Sequence, residues 1–388
     1  MDFNLLPQEQ NVLHDVRAFI KSESTPDLLE ETLAIGNCYG GRLGRQFIRN
    51  FAVNGWLVPN WPEEYGGLGA SAALTFAIRE EMAYARVPSI FVAAHMAGPT
   101  IKHVGSDEMK KEWLLPIARG EVEFALGYSE PQAGSDLSAV SLGVVGEEDH
   151  YVLNGEKTFN THTHVADYHW LICRTNPDVG KHRGMSMMVV DLKSPGITIR
   201  PMITMAGWQT NQVIYDNVIV PQKNMVGKKD RGFYYLMAAL DYERMFPAGS
   251  YRRLFEEIVD YARETKIDGK PLSKNPLIRQ KLAQIEIEME ASNLLFYNLA
   301  CILDKGQIPN YQSSMQKTFT TEMAQRITKT GMEVLGLYGQ LKKGSKWAAL
   351  AGKVEHYHRW SIVETIYAGT NEIQRNIIAH RGLGLPAR

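Results

Sequence analysis

The 388-residue sequence predicts an α+β fold in which a β-rich middle section separates two helical sections. Apolar residues recur at helical spacing up to about residue 117, short β-branched and aromatic runs replace them from about 118, and helical spacing returns after Pro221. No long helical pattern interrupts the middle runs, so their sheet should be largely antiparallel. The expected domains are residues 1–117, 118–228 and 229–388.

The first section begins with an amphipathic helix over residues 8–23, whose apolar residues fall on one face. Prolines and glycines interrupt the pattern over 59–69 and predict a loop. The run from Gly67 to Ala72 matches a dinucleotide-binding fingerprint only formally, because it follows a loop instead of a strand. We interpret it as a turn followed by a helix start.

In the middle section, strands are predicted over 168–173, 185–191, 197–199 and 212–220. Asn154-Gly155 predicts a tight hairpin turn between residues 151–153 and 157–159, because both residue types tolerate positive φ. In the last section, Ile278, Leu282, Ile285 and Met289 recur at intervals of four, three and four, which predicts a helix. Residues 306–309 separate it from the next helix.

The net charge of −1 and the pI near 6.8 give no reason to expect a nucleic-acid partner or an anionic membrane surface. No apolar stretch is long enough for a membrane span, and the sequence opens without a secretory signal pattern. His162 and His164 have no third ligand cluster, so no metal is expected. These observations predict a soluble cytoplasmic protein, or a mitochondrial matrix protein in a eukaryote.

Two motifs carry the chemistry: residues 124–136, FALGYSEPQAGSD, and residues 366–375, IYAGTNEIQR. By composition alone, the first is an ordinary loop rich in glycine, serine and proline. The ordered combination resembles the two signatures of the acyl-CoA dehydrogenases, which desaturate thioesters between the α and β carbons. The resemblance extends from Pro62 to Arg375. It implies an N-terminal helical domain, a central β-barrel-like domain, a C-terminal four-helix bundle and an FAD cofactor.

The same resemblance implies which residues bind the flavin. In the first motif and the 157–161 segment they are Leu126, Tyr128, Ser129, Gly134, Ser135, Phe159 and Thr161. Phe159 stands where the family usually has tryptophan. In the last section the implied flavin-binding residues are Lys266, Glu333, Gly336, Thr370 and Glu372. The segment 265–269 and Glu333 depart from the family pattern. Arg263 is an alternative to Lys266 there, although arginine and lysine are not equivalent for bidentate phosphate contacts.

The reaction needs a base to remove the α-proton while a hydride leaves the β-carbon for flavin N5. Relatives place its carboxylate either before Gly-Thr near the C-terminus, here Ala368, or in a segment resembling Leu240-Asp-Tyr-Glu-Arg244. The second pattern is that of isovaleryl-CoA and long-chain dehydrogenases, and it implies that Glu243 is the base. An isolated helical glutamate would otherwise be an exposed carboxylate paired with Arg244 or Arg263. The expected substrate contacts are Ser135, Asp241, Arg244, Tyr367 and Gly369.

The resemblance therefore implies FAD-dependent dehydrogenation of an acyl-CoA, with electrons passed to electron-transfer flavoprotein. A homotetramer or a dimer of dimers is expected, and a heteromeric assembly is an alternative. Two other functions stay open: a flavin oxidase or monooxygenase on the same scaffold, and a non-catalytic or FAD-sharing subunit of a heteromeric dehydrogenase. The position of Glu243 suggests branched, long or alicyclic acyl groups.

Overall fold

The computed structural model describes residues 5–36, 40–89, 92–243 and 245–386, without the side chains of residues 238 and 241–243. It divides into two compact units, which we describe separately. The first unit comprises Met1–Gln10, Phe76–Arg86 and Arg244–Arg388, and the second comprises Asn11–Thr75 and Val87–Glu243.

The order of elements is helices, then a sheet, then helices, as the sequence predicts. The helices before the sheet are α1 Pro7–Glu23, α2 Pro26–Ala34, α3 Arg42–Ala52, α4 Ala72–Ala85, α5 Gly98–Val104 and α6 Asp107–Ala118. The strands are β1 Phe124–Gly127, β2 Gly143–Gly146, β3 His150–Lys157, β4 Tyr168–Arg174, β5 Met185–Asp191, β6 Ile197–Ile203, β7 Gln209–Pro221 and β8 Met225–Val226. Next come α7 Gly232–Glu243, α8 Gly249–Glu264, the short strands β9 Lys266–Ile267 and β10 Lys270–Pro271, α9 Pro276–Asp304, α10 Tyr311–Leu335, α11 Lys353–Glu364 and α12 Asn371–Ile377.

The sheet lies in the second unit and has the strand order β6-β7-β3-β2-β4-β5-β8, with β1 also paired to β4. Neighbours are antiparallel except where β1 and β2 run parallel to β4. The prediction of a largely antiparallel sheet is therefore confirmed. Its core includes Leu153, Leu171, Met188, Val190 and Val213, which are all buried.

The predicted hairpin at Asn154-Gly155 is wrong. Strand β3 runs straight through these residues and pairs with β7, with a register shift between Leu153 and Gly155. Gly155 has φ of +140°, and the Asn154 side chain accepts a hydrogen bond from the backbone N–H of Asn217 at 2.9 Å. The conformational freedom of Asn-Gly is thus used in a β-bulge within a strand, because a bulge also needs residues that leave ordinary strand geometry.

Helix α7 packs on the sheet within the second unit, against β4 and β5. All residues of β5 except its last, Asp191, are buried, as expected for a strand covered on both faces. Gly232 begins the helix where a Cβ atom would meet the backbone of Ser186 at 2.6 Å, so close packing requires glycine there. The sheet therefore supports the helix that carries Leu240–Glu243.

In the first unit, α8, α9, α10 and α11 share one hydrophobic core. Leu254, Ile285, Met323 and Val354 contribute one buried side chain from each helix, in that order. Of the periodic residues that predicted α9, Leu282, Ile285 and Met289 are buried and Ile278 packs partly against them. Over the described ranges, no helix combines the length and apolar character needed to cross a bilayer.

Candidate active site

A buried ion pair between Lys157 and Glu130 holds the first motif in place. Lys157 Nζ lies 2.8 Å from Glu130 Oε1 and donates to the carbonyl of Tyr128 at 3.0 Å. The Glu130 carboxylate also accepts from the backbone N–H groups of Ser141 at 2.8 Å and Leu142 at 3.0 Å. Burial raises the pKa of Glu130, but Lys157 and these donors outweigh it and hold the pKa below its usual value. The carboxylate therefore stays ionised and joins the two ends of the loop over residues 130–142.

A second set of contacts joins the first motif to the segment after β3. The N–H of Thr158 donates to the Ser129 carbonyl at 2.9 Å, and Asn160 Nδ2 donates to the Leu126 carbonyl at 2.8 Å. The buried Asn160 side chain was not predicted from the sequence. These bonds bring the predicted flavin contacts at 126–129 beside those at 159–161.

Of the predicted contacts at this edge of the second unit, Phe159, Thr161, Gly134 and Ser135 are exposed, whereas Tyr128 is buried. Phe159 has φ of +57° and a 65% exposed side chain, although phenylalanine is usually buried. Thr161 is exposed, and its hydroxyl lies 3.3 Å from that of Thr210. Gly134 and Ser135 lie in an exposed loop, and a Cβ atom on Gly134 would meet nothing within 4 Å. The edge thus presents an aromatic ring, hydroxyl groups and open space.

The second motif forms a tight loop before α12 in the first unit. Ala368 has φ of +54° and Gly369 has φ of +80°. Gln374 Nε2 donates to the Ala368 carbonyl at 2.9 Å, and the fully buried Lys317 donates to the Gly369 carbonyl at 3.0 Å. Lys317 also contacts Asn371 Oδ1 at 2.8 Å. The loop backbone is therefore held by Gln374, which lies within the second motif, and by Lys317, which lies outside both motifs.

The predicted contacts around that loop are arranged at the start of α12. Thr370 caps the helix, accepting from the N–H of Ile373 at 3.3 Å. Glu372 is exposed in the first turn, where its own N–H and the Thr370 hydroxyl hold its pKa below the usual value. The Tyr367 ring packs against Phe246 at a centroid distance of 5.7 Å.

The other contacts predicted in the last section lie in separate surface elements. Lys266 is exposed in β9, and Gly336 ends α10 with φ of +57°. Glu333 forms an ion pair with Lys281, in which both side chains are about half exposed. Arg263 pairs with Asp260 at 3.2 Å. Their roles stay predictions.

The predicted base, Glu243, is the last residue of α7. Its side chain, that of Asp241 and the whole of Arg244 lie outside the described residues. The backbone places the motif at the end of a helix that packs on the sheet.

The histidines of the 157–164 region have protein partners. His162 Nε2 lies 3.2 Å from the carbonyl of Gly36, and burial lowers the pKa of His162 to about 4. His164 Nδ1 lies 3.2 Å from the Asn211 amide nitrogen. Within the part of the chain that the structure describes, no group of three or more metal-ligating side chains is found.

The chain matches three family models along nearly its whole length. They are the acyl-CoA dehydrogenase N-terminal domain over residues 7–121, the middle domain over 125–218 and the C-terminal domain over 230–383. The chain is 35% identical over 398 residues to acyl-CoA dehydrogenase FadE26 of Mycobacterium tuberculosis, covering 100% of this chain and 99% of that protein. The chain belongs to the acyl-CoA dehydrogenase family.

Other relatives agree with this membership. FadE29 of Mycobacterium tuberculosis is 32% identical over 390 residues, covering 100% of this chain and 99% of that protein. Among solved structures, the ChsE4-ChsE5 complex from Mycobacterium tuberculosis matches with a TM-score of 0.91 at 34% identity, covering all of both chains. A structure described as the Tcur3481-Tcur3483 steroid ACAD also matches with a TM-score of 0.91, at 31% identity and complete coverage of both chains.

The family, the fold class, the enzyme class and the FAD cofactor that the sequence predicts are thereby confirmed. The protein is a flavoprotein oxidoreductase of the acyl-CoA dehydrogenase family, with an N-terminal helical domain, a central sheet domain and a C-terminal helical domain. The domain boundaries and the roles of individual residues stay predictions.

Proposed function

We propose that this protein catalyses FAD-dependent α,β-dehydrogenation of an acyl-CoA thioester, with Glu243 as the base. The observation that carries the proposal is the complementary pair of Ala368 and Glu243. One of the family's two base positions holds an alanine, and the other holds a carboxylate. The loop around Ala368 keeps an ordered backbone through Gln374 and Lys317, so its alanine is not a sign of a degraded site.

The residues of the second unit fit a flavin. A flat ring system with polar edges needs an apolar surface and hydrogen-bond groups, and Phe159, Ser129 and Thr161 supply these on a backbone held by buried side chains. Gly134 leaves open space beside them. In the first unit, Thr370 and Glu372 lie at a helix N-terminus, where backbone N–H groups are available.

When bound, FAD supplies the acceptor for the β-hydride. The chain's own task is to remove the α-proton, for which the Glu243 carboxylate is the proposed acceptor. Tyr367 and Gly369 would contact the substrate, and Arg244 would fix the helix end or the CoA. Hydrogen bonds to the thioester carbonyl would stabilise the developing enolate.

The test is substrate-induced bleaching of the flavin under anaerobic conditions. Glu243→Gln keeps the size of the side chain and removes its basicity, so the rate of bleaching should fall about 10²- to 10⁴-fold, as expected for loss of a catalytic base. The 450 nm absorbance of the purified variant should still show bound FAD. Unchanged single-turnover reduction in this variant would refute the assignment of Glu243.

We further propose electron-transfer flavoprotein as the electron acceptor. Two relatives support it by their names: subunit CarC of a caffeyl-CoA reductase-Etf complex, 30% identical, and a chain from a structure of an electron transferring flavoprotein of Acidaminococcus fermentans, 27% identical. Peroxide formation measured against reduction of electron-transfer flavoprotein separates this from the oxidase or monooxygenase alternative. Rapid stoichiometric peroxide production would favour the alternative.

A second candidate is a subunit of a heteromeric dehydrogenase that shares FAD with a different chain. Two observations favour it: the departures from the family pattern at Thr265 and Glu333, and the two-protein names of two structural neighbours. The protein purified alone should then be colourless and become yellow only with its partner. Stoichiometric flavin in a homo-oligomer would exclude this candidate.

The steroid substrate named for one neighbour guides the choice of thioesters. A panel of short, branched, long, alicyclic and steroid side-chain acyl-CoA compounds, scored by anaerobic bleaching, would define the substrate. We expect the fastest reduction with the bulky alicyclic members. A preference for short linear chains would contradict this expectation.

A further inference from the structure

The linker Met245–Ala248 joins α7 to α8 and directly follows the Glu243–Arg244 pair. It forms neither helix nor strand, so its backbone groups need partners from elsewhere. Met245 and Ala248 are nonetheless buried. The partners are side chains from α4 and α10, within the first unit.

Arg79 of α4 holds the start of the linker. Its Nη2 atom donates to the Met245 carbonyl at 2.6 Å. The guanidinium also lies 5.8 Å from the ring centroid of Phe76 and 5.9 Å from that of Phe296. Burial lowers the pKa of Arg79 to about 10, so the group is still charged at neutral pH. A charged donor in an apolar setting makes a strong and directional hydrogen bond.

Gln316 of α10 holds the next residue by both of its backbone groups. The N–H of Phe246 donates to Gln316 Oε1 at 3.2 Å, and Gln316 Nε2 donates to the Phe246 carbonyl at 2.6 Å. The Gln316 side chain is completely buried, and its Nε2 also contacts the Thr320 hydroxyl at 3.0 Å. Because the amide pairs with the peptide twice, it fixes the orientation of the peptide as well as its position.

Glu80, the neighbour of Arg79 on α4, is buried, and burial raises the pKa of its carboxyl. A Cβ atom on Gly249 would lie 2.4 Å from the Glu80 carbonyl, so the start of α8, directly after the linker, approaches α4 at backbone distance. Met245 and Phe246 are thus each held through their backbone by a polar side chain of another helix.

We propose that Arg79 and Gln316 are positioning residues for the reaction, because they fix the chain two and three residues after the base. This inference rests on the proposed role of Glu243. The contacts of α7 itself are with β4, β5, residues 93–97 and α5, whereas Arg79 and Gln316 act on the segment that follows its last turn. Proton transfer is sensitive to small displacements, and an error of about 1 Å can lower the rate about 100-fold.

The experiment measures proton removal by itself. In 3,3-dimethylbutanoyl-CoA the α-carbon carries two hydrogens and the β-carbon none, so exchange of the α-hydrogens with D2O is the only reaction open to the base. The variants are Arg79→Met, Gln316→Met and the conservative Arg79→Lys, which keeps one donor for the Met245 carbonyl. The matched control is Thr328→Val, which removes a buried α10 hydroxyl that donates to the Gln325 carbonyl at 3.1 Å.

We expect exchange to fall about 10- to 100-fold in both methionine variants, with FAD content unchanged. Arg79→Lys should recover most of the rate, and Thr328→Val should stay within about twofold of the wild type. Loss of FAD or of the folded state in both methionine variants would assign a purely architectural role and overturn the proposal. So would wild-type exchange rates in them.

The variant Glu243→Gln distinguishes a failure of the positioning role from a failure of the proposed base. If it abolishes exchange while the methionine variants do not, the positioning role is wrong and the proposed base stands. If Glu243→Gln exchanges at the wild-type rate, the base assignment itself fails, whatever the other variants do.

Discussion

Replacing Lys157 by methionine should reveal how strongly the loop over residues 130–142 depends on one buried cation. Lys157 and Glu130 are 0% and 2% exposed in their side chains, so the variant leaves a carboxylate in the core without its counter-ion. Removal of one partner from a buried ion pair costs about 3–5 kcal/mol. The N–H groups of Ser141 and Leu142 remain as donors, which places the expected loss toward the lower end of that range.

The effect has a defined pH dependence. The folded protein holds the pKa of Glu130 below its value in the unfolded chain. The ion pair therefore contributes its full stability at pH values above the unfolded-state pKa, and this stability is lost as the pH falls through the lower pKa of the folded state. In Lys157→Met, the carboxylate takes up a proton more readily because its counter-ion is gone. The stability difference between wild type and variant should therefore be largest near neutral pH and shrink on acidification.

The assay is urea unfolding at several pH values, together with the dissociation constant of FAD from fluorescence. Combining Lys157→Met with Glu130→Gln should recover part of the lost stability, because the uncompensated charge is removed. A loss below about 1 kcal/mol at pH 7, with FAD affinity unchanged, would refute the reasoning. Strict additivity of the two substitutions would refute it equally, because the side chains are in direct contact.

Three further predictions concern single residues. Burial raises the pKa of Glu364, which accepts a hydrogen bond from Tyr251, to about 7. Because this group is protonated in the folded state, its contribution to the free energy of unfolding should fall by roughly 3 kcal/mol as the pH rises from 4.5 to 7. Glu364→Gln should flatten that part of the melting-temperature profile, and an unchanged profile would contradict the assignment. Gly249→Ala should destabilise the protein by about 1–3 kcal/mol in urea unfolding, since the added Cβ would lie 2.6 Å from the backbone nitrogen of Tyr84; wild-type stability would contradict the packing. Phe159→Ala should weaken FAD binding about 10-fold in a fluorescence titration and leave apoprotein stability within about 0.5 kcal/mol, because its ring is 65% exposed; equal FAD affinity would remove it from the flavin surface.

Much of the fold could be predicted because its signals are local. The first helix was predicted over 8–23 and lies at Pro7–Glu23, and the predicted strand at 185–191 matches β5. Apolar spacing identifies such elements without knowledge of their neighbours. Asn154-Gly155 shows where this fails: the pair reports conformational freedom, but whether a turn or a bulge uses it depends on β7, about 60 residues later.

The roles of the predicted site residues stay predictions. The two motifs located the loops that carry Ser129 and Thr370, because their order along the chain is distinctive. The side chains that hold those loops were not found. Lys317 lies in a helix, and the sequence does not distinguish a buried lysine from an exposed one. Its partner Gly369 is 52 residues away, so the contact gives no local signal. Gln316 was missed for the same reason, since its partner Phe246 is 70 residues away.

The left-handed backbone of Ala368 has an evolutionary consequence. A residue with a side chain costs about 1 kcal/mol in that conformation, yet the loop is maintained by Gln374 and Lys317, neither of which touches the alanine methyl through these bonds. The hydrogen bonds that hold the loop are therefore independent of the side chain at position 368. On the proposed assignment of the base, a lineage could exchange one proton acceptor for the other by changing positions 368 and 243, without losing these bonds.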